Sequence, residues 1–187
     1  MQKCLTTGRI RLLIFIYIHM ERTLIIFKPD TIQRGITGEI LARFEKAGLK
    51  IVAAKMISPS KDHYHNHYEG IGKMISRRGQ KAFDVTLDMM MEGPVLPMVL
   101  EGVEAVSLVR KLVGATEPKS ALPGTIRGDY SHMSFGHADV NEIGIPNLVH
   151  ASGDPEEAKQ EIAHWFKEEE IYNYEVAHEK FTQTRKK

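Results

Sequence analysis

The apolar positions of this 187-residue chain change period several times, and each change marks an element. Thr23-Leu24-Ile25-Ile26-Phe27 is a continuous apolar run stopped by Lys28-Pro29-Asp30, the pattern of a buried strand ending in a turn. Thr37 then stands as a helix cap, with Ile40, Leu41 and Phe44 on one face and Gly48 as the stop. Ile51 to Ile57 predicts a second strand, and Ser58-Pro59-Ser60 opens a His- and Tyr-rich helical segment. Phe83, Leu87, Met90 and Met91 recur at helical spacing in a helix ending at Gly93-Pro94. Val95 to Leu100 predicts a third strand, in which Pro97 indicates an edge or bent position. Val103, Val106, Val109 and Val113 mark the next helix.

Gly114 to Gly128 has no periodicity and reads as a loop of a length that is often functional. A further strand is expected around Tyr130 to Phe135, either alone or continued near Leu148, with the polar stretch Gly136 to Pro146 as an inserted loop. Near the end, Leu148-Val149 runs into His150 and then Ala151-Ser152-Gly153. There Asp154 suits an N-cap, Pro155 the first helical position, and Glu156 and Glu157 the positive helix end. Ala158, Ile162, Trp165 and Phe166 continue at helical spacing, so His150 is delivered by a strand beside a helix N-terminus, where an anion is favoured. Strands alternating with helices through connections too long for hairpins predict an α+β sandwich, with helices covering a small sheet.

Composition narrows the function classes. Lys plus Arg number 25 against 24 Asp plus Glu, a net charge of +1, which argues against a dedicated nucleic-acid binder. Cys4 is the only cysteine, so no intrachain disulfide forms and a reducing compartment is expected. No apolar run reaches bilayer length. Residues 1–19 carry Lys3, Arg9 and Arg11, no acidic residue, and the apolar run Leu12 to Ile18. That order is faintly like a signal peptide, but the run is short and no small-x-small cleavage site follows. Residues 1–19 are therefore read as a non-domain extension and 20–187 as a single domain.

Four separated segments put phosphate-compatible groups at element ends: Lys28, Arg110, the Thr125-Ile126-Arg127-Gly128-Asp129 run, and His150. Singly they have ordinary readings, a solvated strand-end charge for Lys28 and a surface ion pair for Arg110. Together they suggest phosphoryl transfer, because guanidinium forks and an ammonium suit phosphate oxygens and an imidazole nitrogen can accept a phosphoryl group covalently. Glu161, inside the last helix, could orient that ring.

These segments resemble the nucleoside diphosphate kinase family. Glu21 to Asp30 with Gln33-Arg34-Gly35 is similar to that family's first strand and turn, Pro123 to Asp129 to its nucleotide loop, and Asn147 to Ser152 to its active-site signature; the likeness spans about residues 20–181. The resemblance implies a ferredoxin-like fold with a four-stranded antiparallel sheet and ping-pong transfer of a γ-phosphoryl group from a nucleoside triphosphate to a nucleoside diphosphate. His150 would become a pros-phosphohistidine. It further implies that Lys28, Arg110, Thr116 and Arg127 hold phosphates, that Asn147 contacts the ribose, that Ser152 and Glu161 orient His150, and that Tyr68 packs beside it. Magnesium would arrive bridging the nucleotide phosphates, with no direct protein ligand assigned. A homo-oligomer is implied, a hexamer with a tetramer as the alternative.

The chain departs from the family pattern in four places. Ala151 replaces a glycine, and Ser152-Gly153-Asp154 replaces Ser-Asp-Ser. The stretches between Tyr68 and Gly93 and from Gly136 to Pro146 are longer than usual. Phe83 is the nearest candidate for the base-stacking aromatic, with a core role as its alternative and Met74 or Ile75 as substitutes. His63-Tyr64-His65-Asn66-His67 reads as a solvated helix face rather than a metal site, and His132, His137, His164 and His178 as polar residues without acid-base roles. Asp30 and Asp129 are expected to fix turns, and Trp165 and the Met89-Met90-Met91 cluster to pack. Competing readings are another phosphohistidine transferase, a regulatory nucleotide-binding module and an interaction protein on the same fold.

Overall fold

Strand β1 (Met20–Phe27) runs between β3 (Leu96–Val103) and β4 (Val149–Ala151), with β2 (Lys50–Ala54) beyond β3, in one antiparallel sheet of order β2-β3-β1-β4. The computed structural model describes residues 20–182; the 1–19 segment, with Cys4, lies outside the described residues. Behind β1 come α1 (Pro29–Gln33) and α2 (Thr37–Lys46). Between β2 and β3 lie α3 (Lys61–His65), a π-helical turn (Asn66–Ile71), α4 (Met74–Arg78) and α5 (Gln80–Met90). Between β3 and β4 lie α6 (Ala105–Val113), α7 (Ile126–Tyr130) and α8 (Phe135–Val140), and α9 (Pro155–Trp165) and α10 (Glu179–Thr182) follow β4. This is the α+β, ferredoxin-like sandwich that the sequence implied.

The unbroken apolar run of β1 has a direct cause. Side chains alternate across a strand, so Leu24 and Ile26 enter one apolar cluster while Ile25 and Phe27 enter another on the opposite face. The first cluster is closed by Tyr64, Tyr68, Phe83, Leu87 and Trp165, the second by Ile40, Phe44, Val109 and Ile126. His150 pairs with Ile26 across the ladder, which sends its ring toward the first cluster, under α9 and the π-helical turn. The N-terminus of α9 forms as expected, with Asp154 Oδ1 accepting from Glu157 N at 2.8 Å and Pro155 at the first position.

Several boundaries differ from the sequence reading. No strand forms over Tyr130 to Phe135; two short helices stand there because the Thr125 and Ser134 hydroxyls each accept an N–H three residues ahead, at Gly128 and His137. β4 appears only at Val149–Ala151, next to the Leu148 alternative. β2 stops at Ala54, leaving Ile57 in an isolated bridge to Val95. The third strand runs on to Val103, which therefore ends β3 rather than opening α6. Pro97 does not mark an edge, since β3 is an interior strand. Its carbonyl accepts from Lys55 N just past the end of β2, so the absent proline N–H falls where that ladder has ended. The cap of α2 is Ile36, with Thr37 its first helical residue. Among the described residues no helix is long and apolar enough to cross a membrane.

Phe44 is fully buried at the centre of the second cluster. Phe44→Ala is expected to cost about 3–5 kcal/mol of unfolding free energy, read by chemical denaturation, with the transition remaining cooperative.

Candidate active site

Lys28 ends β1 and precedes α1, and its buried ammonium donates to Asn147 Oδ1 at 2.7 Å. The other end of that amide donates to the Thr116 carbonyl at 2.9 Å, so one side chain links β1, the loop after α6 and the approach to β4. Leu148, next in sequence, is held in the left-handed region at φ 71°, a conformation that costs a non-glycine residue on the order of 1–3 kcal/mol. It is fixed from both sides: Asp30 Oδ2 accepts from Leu148 N at 3.1 Å, and Thr31 Oγ1 donates to the Leu148 carbonyl at 2.6 Å. Asp30 thus has the turn-fixing role expected of it, as does Asp129, which accepts from Gly124 N and pairs with Arg43.

Arg127 does more than the sequence suggested. Its guanidinium donates through Nε to Asn147 O at 3.0 Å, through Nη1 to Gly114 O and Ala115 O at 3.1 Å each, and through Nη2 to Val149 O at 2.5 Å. A guanidinium has five N–H groups, so four hold the backbone and one faces the cavity. Gly114 is the turn that allows this approach, with φ 86° and Thr125 where a Cβ would stand. Burial, with Arg110 nearby, lowers the Arg127 pKa to about 10.

On the opposite side of the sheet's end, Glu161 of α9 is buried between three partners. Its Oε2 accepts from Ser152 Oγ at 2.6 Å, and its Oε1 lies 2.8 Å from His150 Nε2. The latter contact is electrostatic rather than an aligned hydrogen bond, because the carboxylate oxygen stands off the ring N–H direction. Ser152 also accepts from Leu24 N at 3.2 Å, which ties the carboxylate to β1. The third neighbour is His67, whose Nδ1 is 3.5 Å from Oε1 and whose ring meets the His150 ring edge-on at 4.5 Å. Tyr68 packs beside both, with its hydroxyl buried and its pKa raised by burial.

His67 corrects the sequence reading. It was placed on a solvated helix face, yet it is 1% exposed. The π-helical turn carries an extra residue per turn and shifts the phase of the face, so His67 and Tyr68 both point inward. Burial, then the neighbouring His150, hold the His67 pKa well below the usual histidine range.

A cavity of about 330 Å³ opens between these groups, lined by Lys28, Arg110, Thr116, Arg127, Asn147 and His150. Every expected phosphate and ribose contact therefore faces one space, together with Tyr68 and Glu161. Ser152 does not line it and acts through Glu161. Phe83 does not reach it either: at 3% exposure it lies in the first apolar cluster, which corrects its candidacy for base stacking. The cavity is also lined by residues not expected there from the sequence, Arg77 and Arg78 of α4, within the stretch between Tyr68 and Gly93, and Phe135, which opens α8 just before Gly136, with the Arg78 guanidinium 3.8 Å over the Phe135 ring.

His67, His150 and Glu161 bring three potential ligand atoms within 4.8 Å of one another, a set able to approach a divalent cation. It does not suit magnesium, which prefers an octahedron of oxygens, and Nδ1 of His67 already accepts the Trp165 indole N–H at 3.2 Å. The cationic lining fits phosphates instead.

Known proteins agree with this arrangement. A family model described as nucleoside diphosphate kinase matches residues 21–171. The chain belongs to the nucleoside diphosphate kinase family. It is 43% identical to the nucleoside diphosphate kinase of Borreliella burgdorferi over 155 residues, covering 83% of this chain and 92% of that one. The Pyrococcus furiosus nucleoside diphosphate kinase is 46% identical over 167 residues, 89% of this chain and 96% of that one. Among solved structures, a transition-state mimic of the Borrelia burgdorferi enzyme with bound vanadate and ADP superposes with a TM-score of 0.84 at 41% identity, covering 87% and 96% of the two chains. A halophilic nucleoside diphosphate kinase from Halobacterium salinarum in complex with CDP gives 0.74 at 35% identity, covering 89% and 100%.

Within this chain, the signature departures are absorbed locally. Ala151 is buried and paired with Ile25, where its methyl fits the second cluster. Gly153 donates its N–H to Glu157 Oε2, and the helix is capped by Asp154, whose Oδ1 accepts from Glu157 N.

The unliganded cluster of cations has a thermodynamic signature. Burial, opposed by Asp30 and reinforced by Arg127, lowers the Lys28 pKa from 10.5 to about 8. Below that value the buried ammonium costs the folded state on the order of 3 kcal/mol. As pH rises from the folded value toward the unfolded one, the unfolded chain holds the extra proton, so stability increases and the penalty fades. Lys28→Met should therefore be more stable than the wild type below pH ~8, with the difference shrinking as pH approaches ~10. Denaturant unfolding across that range, without nucleotide, checks it.

Proposed function

We propose that this chain runs its family's reaction through His150. The γ-phosphoryl group of a nucleoside triphosphate would pass to His150, breaking the β–γ P–O bond and forming a P–N bond, and a second nucleoside diphosphate would collect it. The observation that carries this reading is that His150, a buried carboxylate and three cations meet at one cavity. With Nε2 turned to Glu161, Nδ1 is the nitrogen left to attack phosphorus, in keeping with a pros-phosphohistidine. The developing positive charge on the ring falls beside Glu161, and the charge on the transferring group falls among Lys28, Arg110 and the free N–H of Arg127. The Thr116 hydroxyl supplies a further donor, and Asn147 keeps one amide N–H and one lone pair for the ribose. Donor and acceptor are alike, so catalysis is positioning and charge stabilisation.

Magnesium enters with the nucleotide as part of the substrate, since the lining residues make no oxygen cage for it. Of the aromatics on the cavity wall, Tyr68 packs against His150, so Phe135, with Met74 also on the wall, takes the base-facing place for which Phe83 was a candidate. A homo-oligomer, hexameric with a tetramer as the alternative, a cytoplasmic location and a single domain over 20–187 complete the proposal; neither membrane attachment nor a dedicated nucleic-acid role is part of it.

Incubation with magnesium and γ-labelled ATP should give an acid-labile, base-stable label that GDP or dCDP discharges and that His150→Ala lacks. Binding without labelling would turn the reading toward a regulatory module, and a label that no nucleoside diphosphate removes toward another phosphohistidine enzyme. Phe135→Ala should raise KM for nucleoside diphosphates roughly tenfold with little change in kcat, whereas Phe83→Ala should lower stability by about 3–5 kcal/mol.

A further inference from the structure

Glu161 Oε1 stands between two imidazoles, His150 Nε2 at 2.8 Å and His67 Nδ1 at 3.5 Å, while Oε2 is taken by Ser152. One carboxylate oxygen is therefore open to two rings, and which ring it serves depends on where His67 keeps its proton. A neutral imidazole has one protonated nitrogen and one acceptor. Were the His67 proton on Nδ1, that N–H would face Oε1 and divide the carboxylate's charge between the rings.

Trp165 excludes that state. Its indole N–H can only donate, and it donates to His67 Nδ1 at 3.2 Å with both side chains buried. The bond requires an unprotonated Nδ1, so the His67 proton sits on Nε2, a buried nitrogen with no hydrogen-bond partner of its own, and the indole bond is what offsets that cost. The indole is itself held in place, for His63 meets it edge-on at 4.5 Å and stacks on His164 at 3.9 Å. The titratable groups around His67 are His150 on β4, Glu161 and His164 on α9, His63 on α3, Lys28 after β1 and Tyr68 in its own turn. Of these, only Glu161 could accept from a protonated Nδ1 at the observed geometry.

We infer that Trp165 is a positioning residue for phosphoryl transfer: its N–H fixes the tautomer of His67 and thereby reserves Glu161 for His150. The inference rests on His150 being the phosphoryl carrier. When the His150 Nδ1 bonds to phosphorus, its ring becomes a cation that keeps its Nε2–H, and an undivided carboxylate at 2.8 Å stabilises that charge as it develops. Neither Trp165 nor His67 needs to touch the nucleotide for this, so their effect falls on kcat rather than KM.

The test uses the full chain. Trp165→Phe keeps the aromatic ring and removes the N–H. It should lower kcat about tenfold or more with KM for ATP and GDP unchanged, and nitrogen-15 NMR should show His67 moving from Nε2–H alone to a population with Nδ1–H. Adding His67→Met, which cannot donate to the carboxylate, should recover most of the lost kcat. An unchanged kcat in Trp165→Phe, or a loss that His67→Met deepens, overturns the inference. So does an Nδ1–H tautomer of His67 in the wild-type protein, a measurement that needs no variant to fold. Failure of the wild type to label at His150 would instead remove the reaction itself, leaving the tautomer measurement to stand separately.

Discussion

The site depends on a buried guanidinium that spends most of its hydrogen bonds on the protein. Arg127 joins the carbonyls of Gly114 and Ala115, at the end of α6, to those of Asn147 and Val149, on either side of the strained Leu148. Carbonyls at a helix end and beside a distorted strand lack regular partners, and a planar fork with five donors can satisfy several at once. Together with the Asn147 amide, which donates to the Thr116 carbonyl, that knot ties the loop carrying Thr116 to the short strand carrying His150. Phosphate recognition is thus secondary in count, one N–H of five, yet the same charge faces the cavity. A lysine there could supply charge but not four carbonyl bonds from one rigid plane.

A second constraint works against the first. Lys28, Arg110 and Arg127 line one cavity, with burial lowering the pKa of Lys28 to about 8 and that of Arg127 to about 10. Cations buried this close together are electrostatically unfavourable, and a polyanionic ligand would relieve them. Glu161 does not serve that purpose, because Ser152, His150 and His67 surround it and the α9 backbone holds it on the far side of His150. Charge is therefore sorted by depth, the carboxylate behind the imidazole and the cations before it. The arrangement suits a ring that must become positive while the group it receives stays negative.

Much of this was legible in the sequence, and for physical reasons. An unbroken apolar run such as Leu24 to Phe27 fits a strand buried on both faces, and Asp154-Pro155-Glu156 carries its helix start in its chemistry. Phosphate-binding residue types at four element ends were equally visible. The misses share a cause, in that local pattern was overruled by local hydrogen bonding. Thr125 and Ser134 cap short helices inside a stretch read as strand and loop. His67 looked exposed because an ordinary helical period was assumed across a π-helical turn. Phe83 could be read either as base platform or as core, and only packing against Leu87 and Tyr64 decided it.

The segments around α4 and α8 cluster at the mouth of the cavity rather than at its chemistry. Arg78 of α4 lies over Phe135 of α8, and Lys81 of α5 pairs with Glu142 at 2.8 Å, so the two segments brace each other. The ion pair is exposed, as is Arg78 over a half-buried Phe135, and such ion pairs and cation–π contacts near the surface are individually weak. Deeper in, Lys28, Asn147, Arg127 and Glu161 are buried and each held by at least one hydrogen bond. Rigid groups where the phosphoryl group must be aligned and weakly held ones where a base enters and leaves are what repeated exchange of different nucleotides requires. Changes at the mouth can then alter entry without disturbing the alignment of His150 on Glu161, because no bond of that inner network passes through α4 or α8.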